Sequence, residues 1–170
     1  MGQKIHPILY RIGGNKETDS IWFAQGPAYV DSLQEDIKVR KYIHKRLGDK
    51  MVSKVKIFRK TSSISIDIHT ARPGLVIGKK GEDIDKLRNE LNILINKNRT
   101  NPITVSINVE QIDKMWLDAR LVGKEIARQL EERVSFRRAM KMAMRNVMRD
   151  NALGVKVQVS GRLGGAEIAR

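Results

Sequence analysis

Two glycines three residues apart, with two lysines between them, are the residues of this 170-residue chain best suited to hold a phosphate. Glycine has no Cβ, so Gly78 and Gly81 would let the backbone come into contact with another chain. Lys79 and Lys80 add two positive charges. An amphipathic pattern begins directly after Gly81, so the free N–H groups and the positive dipole end of a helix would point at the same place. Together these features predict a phosphate-binding loop.

The Gly-Lys-Lys-Gly loop, residues 78–81, has competing interpretations. A pair of glycines at this spacing also occurs in ordinary helix–helix connections, with glycine closing a helix. A nucleotide-binding P-loop needs Gly-x-x-x-x-Gly-Lys followed by Ser or Thr. Gly74 and Gly78 are one residue too close for that pattern, and Lys80 stands where the hydroxyl would be. The functional interpretation that remains is a loop that clamps the backbone of a few nucleotides, as in the KH RNA-binding domain.

The elements around this loop favour the KH interpretation because they follow the order of that domain. Alternating apolar residues predict strands at 55–57, 64–68 and 103–109. Helical spacing predicts a helix ending near Gly48 and another over 84–95, with a short helix before the loop. The order is therefore αββααβ, that of a type II KH domain. The apolar stripe of the first helix is predicted to be Leu33, Ile37, Ile43 and Leu47.

Composition indicates a polyanionic partner. The chain has 33 Lys and Arg against 19 Asp and Glu, a net charge of +14. Residues 1–110 hold 20 basic and 12 acidic side chains, a net +8, and residues 111–170 hold 13 and 7, a net +6. Because both halves are basic, the excess positive charge is not confined to a terminal tail. A surface that is charged only for solubility is the competing explanation, and an excess of this size favours nucleic acid.

Composition also excludes several classes of function. The absence of cysteine excludes disulfides and thiolate chemistry and fits a reducing compartment, either cytoplasm or an organelle matrix. We expect no membrane segment and no signal peptide, because no apolar run is long enough. No metal-ligand spacing or cofactor motif is present. His6, His44 and His69 are far apart, and although Asp67 is close enough to orient His69 as a base, a hydrogen-bonding role is favoured over catalysis.

The second half of the chain is predicted to contain two helices. Residues 112–132 have one apolar stripe, which runs from Ile112 through Trp116 to Leu130. Residues 133–149 contain six basic side chains and no acid, with Ser135 placed to cap a helix. An apolar side lies opposite the basic one and holds Phe136, Ala139, Met140, Ala143 and Val147. At about 100° per residue, one arc of roughly 120° contains five of the cations, namely Arg137, Arg138, Lys141, Arg145 and Arg149.

This basic face predicts a polyanion along the helix, because like charges on one face repel and cost stability. A helix lying on a lipid surface is the alternative, but the apolar side is mainly Ala and Met, without Trp or Leu.

Residues 155–159 alternate and predict a strand, followed by a tight turn in a β-sheet with Arg162 at its tip. Gly161, Gly164 and Gly165 do not complete a dinucleotide-binding motif.

Four longer strings resemble a known family. They are Met1-Gly-Gln-Lys-Ile-His-Pro7, residues 68–83 around the loop, Phe136-Arg-Arg-Ala-Met-Lys141 and residues 160–170. They are similar to bacterial-type small-subunit ribosomal protein number three, over essentially the whole chain. The resemblance implies a protein of the ribosomal head that binds small-subunit ribosomal RNA and neighbours small-subunit proteins ten and fourteen. It also implies that Arg137, Arg138 and Lys141 touch incoming messenger RNA and help to separate its paired regions.

We therefore predict an α+β protein with a basic N-terminal segment at 1–27, a type II KH domain at 28–110 and a C-terminal α/β domain at 111–170. The last would have two helices packed on a β-sheet. Family members continue past residue 170 with further strands, so strand 155–159 is expected to lack a partner. The alternative is a free-standing KH regulator or assembly factor. No cofactor, membrane or small-molecule substrate is predicted, and the residues assigned to RNA are Lys4, Arg72, Gly78, Lys79, Lys80, Gly81, Arg133, Arg137, Arg138, Lys141, Arg145, Arg149 and Arg162.

Overall fold

A computed structural model of the chain describes residues 2–48, 51–97, 99 and 102–169. The chain divides into two compact units, Met1–Glu110 and Gln111–Arg170. The first unit is built from α1 (Pro7–Arg11), β1 (Ser20–Ile21), α2 (Pro27–Leu47), β2 (Val52–Arg59), β3 (Ser63–Thr70), α3 (Pro73–Ile77), α4 (Glu82–Asn96) and β4 (Thr104–Gln111). The second contains α5 (Ala119–Glu131) and α6 (Phe136–Arg149).

The first unit has one four-stranded sheet in the order β1-β2-β3-β4. Strands β2 and β3 are antiparallel, with Ile57 opposite Ile66. The two-residue strand β1 adds to the edge of β2 in parallel, with Ser20 opposite Ile57. From α2 to β4 the element order is the predicted αββααβ, and the α+β prediction is confirmed. Helix α1 and strand β1 lie in the segment for which no element was predicted.

One face of the sheet forms the core of this unit. Alternation along β3 puts Ile64, Ile66 and Ile68 on the side where α2 and α4 pack, and each is at most 1% exposed. Burying an isoleucine contributes about 1.5–3 kcal/mol, so these three positions fix the register of the strand. The opposite face is polar and includes Lys54 and His69.

Helix α2 buries a different stripe from the predicted one. Leu33 and Ile37 are 38% and 44% exposed, while the predicted Ile43 and Leu47 are buried. The helix is rotated because Asp36, only 1% exposed, faces inward and accepts hydrogen bonds from other elements. The buried side chains of α2 are Asp36, Val39, Ile43 and Leu47.

The first helix of the second unit begins later than predicted. Residues 115–117 form a single 3₁₀ turn, and α5 starts at Ala119. The cause is Asp118, whose carboxylate accepts hydrogen bonds from the backbone N–H groups of Arg120 and Leu121 at 2.9 and 3.2 Å. A carboxylate in that position caps a helix, so the helix starts there. Trp116 still packs on the core between α5 and α6.

Residues 155–159 also differ from the prediction. Val157 and Val159 pack on the core of α5 and α6, but no strand is assigned to the segment. The alternating sequence gives the segment one apolar side. A β-strand also needs a neighbouring strand that forms hydrogen bonds with its backbone N–H and C=O groups. Among the described residues of the second unit no strand lies beside it, so the turn at 161–165 does not belong to a sheet.

Candidate nucleic-acid interface

The Gly-Lys-Lys-Gly loop joins α3 to α4 through a chain reversal in left-handed backbone conformations. Gly78, Lys80 and Gly81 have φ angles of 77°, 54° and 83°. A Cβ at Gly78 would lie 2.7 Å from the side chain of Asp83, so both space and conformation require glycine there. At Gly81 no atom lies close enough to exclude a Cβ, and the requirement is conformational. The helix α4 begins immediately afterwards at Glu82.

The lysines of the loop are presented to solvent. Lys79 and Lys80 are exposed, and neither has an acidic partner within the described residues. A left-handed conformation at a residue with a Cβ costs about 1–2 kcal/mol, so Lys80 carries strain that the rest of the loop maintains. The exposed Arg72 stands just before α3. This arrangement presents three cations and glycine backbone on one short segment.

Two apolar residues beside the loop were not predicted as functional. Leu75 and Ile77, on α3, are 48% and 37% exposed, while Val76 between them is buried. Apolar side chains left open next to a phosphate-binding loop are suited to contact with the faces of bases. Their position in the sequence could have revealed them. A helix of only five residues can bury only one of its sides, so some of its apolar residues must stay exposed.

Helix α6 forms the second cationic surface, and it begins directly after Ser135, the residue predicted to precede it. Ala139, Ala143 and Val147 are buried, the last two in the core shared with α5, which turns the predicted basic arc to solvent. The Arg137 guanidinium lies 5.6 Å from the centre of the Phe136 ring, a cation–π contact that orients it. Ser135 precedes the helix but makes no side-chain capping hydrogen bond. The face includes an open depression of about 550 Å³ bounded by Ser135, Arg137, Arg138, Lys141, Met142 and Arg145.

The cations of this surface make no ion pairs with described acids. Within the residues that the structure describes, none of six exposed side chains makes an ion pair: Arg133, Arg137, Arg138, Lys141, Arg145 and Arg149. Several cations elsewhere are paired with acids. The Arg59 guanidinium contacts Glu35 at 2.8 Å and Asp36 at 2.6 Å, and Arg128 on α5 contacts Glu125 at 2.6 Å. An array of unpaired cations in one place is an electrostatic site for a polyanion.

The remaining two predicted residues lie outside these clusters. Lys4 is exposed in the segment before α1. Arg162 is exposed in the turn that precedes a 3₁₀ segment, and its Nε donates a hydrogen bond to the Ala166 carbonyl at 2.9 Å. Arg162 therefore uses part of its hydrogen-bonding capacity to hold its own turn.

The histidine considered for catalysis has a structural environment. His69 Nδ1 lies 2.9 Å from the Glu110 carboxylate across two strands. Burial lowers the pKa of His69 below its ordinary value, with Glu110 opposing that effect. Asp67 accepts a hydrogen bond from Asn108 at 2.9 Å and has no contact that would orient His69. Across the described ranges, no three His, Asp or Glu side chains gather as metal ligands, and none of the helices is both long and apolar enough to cross a bilayer.

Comparison with known proteins identifies the family. Residues 38–117 match the KH domain, and residues 126–170 match the C-terminal domain of ribosomal protein S3. The small ribosomal subunit proteins uS3 of Pseudomonas fluorescens and Pseudomonas syringae are each 53% identical over 170 residues, all of this chain and 72% of the relative. That of Stutzerimonas stutzeri is 52% identical over the same length. The chain belongs to the uS3 family of small ribosomal subunit proteins.

Membership fixes the class of function. A uS3 protein is a structural constituent of the small ribosomal subunit and not an enzyme, and RNA binding and a part in translation follow from the family. In bacteria, which are the source of the relatives named here, a protein of the small ribosomal subunit is cytoplasmic. The Gly-Lys-Lys-Gly loop lies inside the KH match, and α6 lies inside the uS3-specific C-terminal match. Those relatives give no support to the interpretation as a free-standing regulator or assembly factor.

Proposed function

We propose that the two cationic surfaces divide the RNA contacts of this protein. The Gly-Lys-Lys-Gly loop holds ribosomal RNA in the head of the subunit. The basic face of α6 contacts messenger RNA where it enters, and so helps translation through structured messages. The observation that carries this proposal is a set of six exposed cations, five along α6 and Arg133 just before it, none paired with an acid in the part of the chain that the structure describes.

The chemistry of the α6 face suits a strand that must move. Guanidinium and ammonium groups contact phosphates, which position a strand without reading its sequence. Arg137, Arg138 and Lys141 stand at the first turns of the helix, backed by the buried Ala139. A row of phosphate contacts without a cleft that grips individual bases lets a strand advance one nucleotide at a time.

Protein neighbours are proposed for a different surface. The first turns of α2 expose an apolar stripe, with Tyr29, Val30, Leu33 and Ile37 between 38% and 51% exposed. Contiguous exposed apolar side chains are typical of protein–protein contact. We assign this stripe to small-subunit ribosomal proteins ten and fourteen. Changing Val30 to Lys should reduce chemical crosslinking to those two proteins inside purified subunits, with an exposed site such as Lys86→Ala as control.

The test of the messenger role is a triple substitution, Arg137→Ala, Arg138→Ala and Lys141→Ala. The side chains are exposed, so the variant should fold and enter small subunits nearly as well as the unchanged protein. Translation through a stable hairpin in the messenger should slow, while an unstructured message should be translated almost normally. The measurement is the elongation rate on matched messages in a reconstituted system.

The matched control removes the same charge from another helix. Lys38, Lys41 and Lys45 are exposed cations on α2, and changing all three to Ala should leave the hairpin-dependent rate unaltered. If the α6 variant fails to enter subunits, its face binds ribosomal RNA and the messenger assignment is wrong. If both triple variants slow the hairpin equally, the effect is one of net charge.

A further inference from the structure

Phe23 is the most exposed aromatic residue of the chain, with 84% of its surface open to solvent. Its exposure follows from the extended backbone at and after β1, where successive side chains point to opposite sides. Ser20 and Trp22 point inward, and both donate hydrogen bonds to the same carboxylate oxygen of Asp36 at 2.8 Å. Ile21 and Phe23 consequently point outward.

The neighbours of Phe23 are held rigidly. The Trp22 ring lies 5.5 Å from the ring of Tyr29, and the Arg59 guanidinium lies 5.9 Å from the centre of the Trp22 ring. Asp36, which anchors Trp22, is itself buried. An exposed ring mounted on an anchored backbone loses little freedom when it binds a partner, which favours binding.

A hollow of about 350 Å³ lies beside this ring, with Phe23 and Lys60 among the residues that line it. The hollow also contains Arg59 and Arg99, and both are paired with acids of α2. Lys60 is exposed in the turn between β2 and β3 and has no acidic partner within the described residues. The one cation left uncompensated in the hollow is therefore next to an open aromatic face.

We propose that Phe23 and Lys60 form a binding site for an unpaired RNA nucleotide, separate from the Gly-Lys-Lys-Gly loop and from α6. The base stacks on the Phe23 ring, and Lys60 contacts the adjoining phosphate. This is the usual pairing of an aromatic platform with a cation in single-strand recognition. The inference rests on the RNA-binding function of the protein.

An RNA partner fits this surface better than a protein partner does. Apolar side chains, among them Trp22 and Ile103, also line the hollow, but the exposed residues that follow β2, Lys60 and Thr61, are polar and give its opening a cationic side. The unit as a whole carries a net charge of +8, which repels basic partners and attracts phosphates. A ribosomal protein at this surface is the competing outcome of the test.

The test uses the full chain with Phe23→Trp, which keeps an aromatic ring and adds a local fluorophore. Titration with a short unstructured RNA should quench the added fluorescence, after subtraction of the signal of the unchanged chain. An oligomer of equal length and charge that lacks bases should not quench it. Lys60→Ala in this background should raise the midpoint at least threefold, while Lys45→Ala on α2 should leave it unchanged. In addition, Phe23→Leu should weaken RNA binding at this site about tenfold, the effect of losing one base–aromatic stack.

The outcomes separate this site from the general function. Absent quenching, or equal quenching by the oligomer without bases, overturns the stacking site. If that happens while Lys79→Asp with Lys80→Asp still weakens RNA binding, the RNA function stands and only this inference fails. Inside purified subunits, a photoreactive phenylalanine at position 23 should crosslink to RNA, and a crosslink to a ribosomal protein would overturn the proposal in favour of protein docking.

Discussion

Helices α5 and α6 are neighbours of similar length, each packs one face into the same core, and each carries basic side chains. They differ in what those side chains meet. On α5, Arg128 contacts Glu125 at 2.6 Å and Glu132 at 2.5 Å. On α6 the exposed cations have no acid within reach in the described part of the chain. The difference shows that pairing, more than number, separates cations that support the fold from cations available to a ligand.

The same distinction applies to the first unit. Arg59 and Arg99 are paired with Glu35 or Asp36, and they connect α2 to β2 and to the segment before β4. Among the described residues, Lys79 and Lys80 have no such partners, and they stand on a loop held by glycines. A cation that is paired with an acid contributes little to the long-range attraction of a polyanion. The net charge of +14 therefore does not show where the field is strongest, because unpaired cations such as those of the loop set the local field.

The largest expected effect comes from breaking a paired cation. Asp36→Ala should lower the free energy of unfolding by about 2–4 kcal/mol, because it removes the acceptor of the Trp22 N–H and one of the two carboxylates that hold the largely buried Arg59, which keeps only Glu35. Chemical denaturation of the full chain measures this. Asp31→Ala, an exposed acid on the same helix, should change stability by less than about 0.5 kcal/mol. An equally small effect at Asp36 would mean that its pairing does not support the fold.

The next prediction compares a change of backbone conformation with a change of charge within the Gly-Lys-Lys-Gly loop. Gly81→Val should cost about 1–3 kcal/mol, because a β-branched residue resists the φ of 83° that the loop adopts. RNA binding should fall with it. Lys80→Ala should leave stability almost unchanged and reduce RNA affinity less than the valine does. Normal folding and binding by the valine variant would show that the left-handed conformation at residue 81 is not needed.

Unpaired cations of the loop should show the opposite behaviour from Asp36. Lys79→Asp with Lys80→Asp should leave the melting temperature almost unaltered but weaken RNA binding at least tenfold, about 1.4 kcal/mol. The salt dependence of the unchanged protein should have a log–log slope of about −3 or steeper, since each phosphate contact to single strands contributes about −0.7. Unaltered affinity in the double variant would reduce the loop to a helix connection.

Local patterns predicted most of the first unit because they are set by short-range chemistry. Alternation located β2, β3 and β4, and the amphipathic pattern that begins directly after Gly81 located α4. Burial within α2 was harder, since Asp36 faces inward only through partners on β1 and β2 that are distant in sequence. Apolarity favoured Leu33 and Ile37 as core residues, and the prediction was wrong at those two positions and correct at Ile43 and Leu47.

The candidate sites were predictable to different degrees. The basic arc of α6 follows from helical geometry, so Arg137 and Lys141 were placed correctly on one face. The start of α5 was not, because Asp118 caps the helix there by accepting two backbone hydrogen bonds that periodicity does not reveal. Phe23 was missed for a related reason. Its exposure depends on Trp22 pairing with a carboxylate on another element, which no local pattern shows.

The smallest effect compares the two helices directly, with one arginine from each. Arg145→Ala on α6 should weaken RNA binding only a few-fold, but it should also make the log–log salt slope shallower by about 0.7, because one phosphate contact is lost. Arg128→Ala on α5 removes the same charge from an exposed position, yet should leave the slope unchanged because that guanidinium is already engaged by Glu125 and Glu132. Its consequence should instead be a slightly lower melting temperature. Equal changes in slope for the two variants would show that pairing in the folded protein does not decide which cations reach RNA, and the distinction between the helices would then be one of position alone.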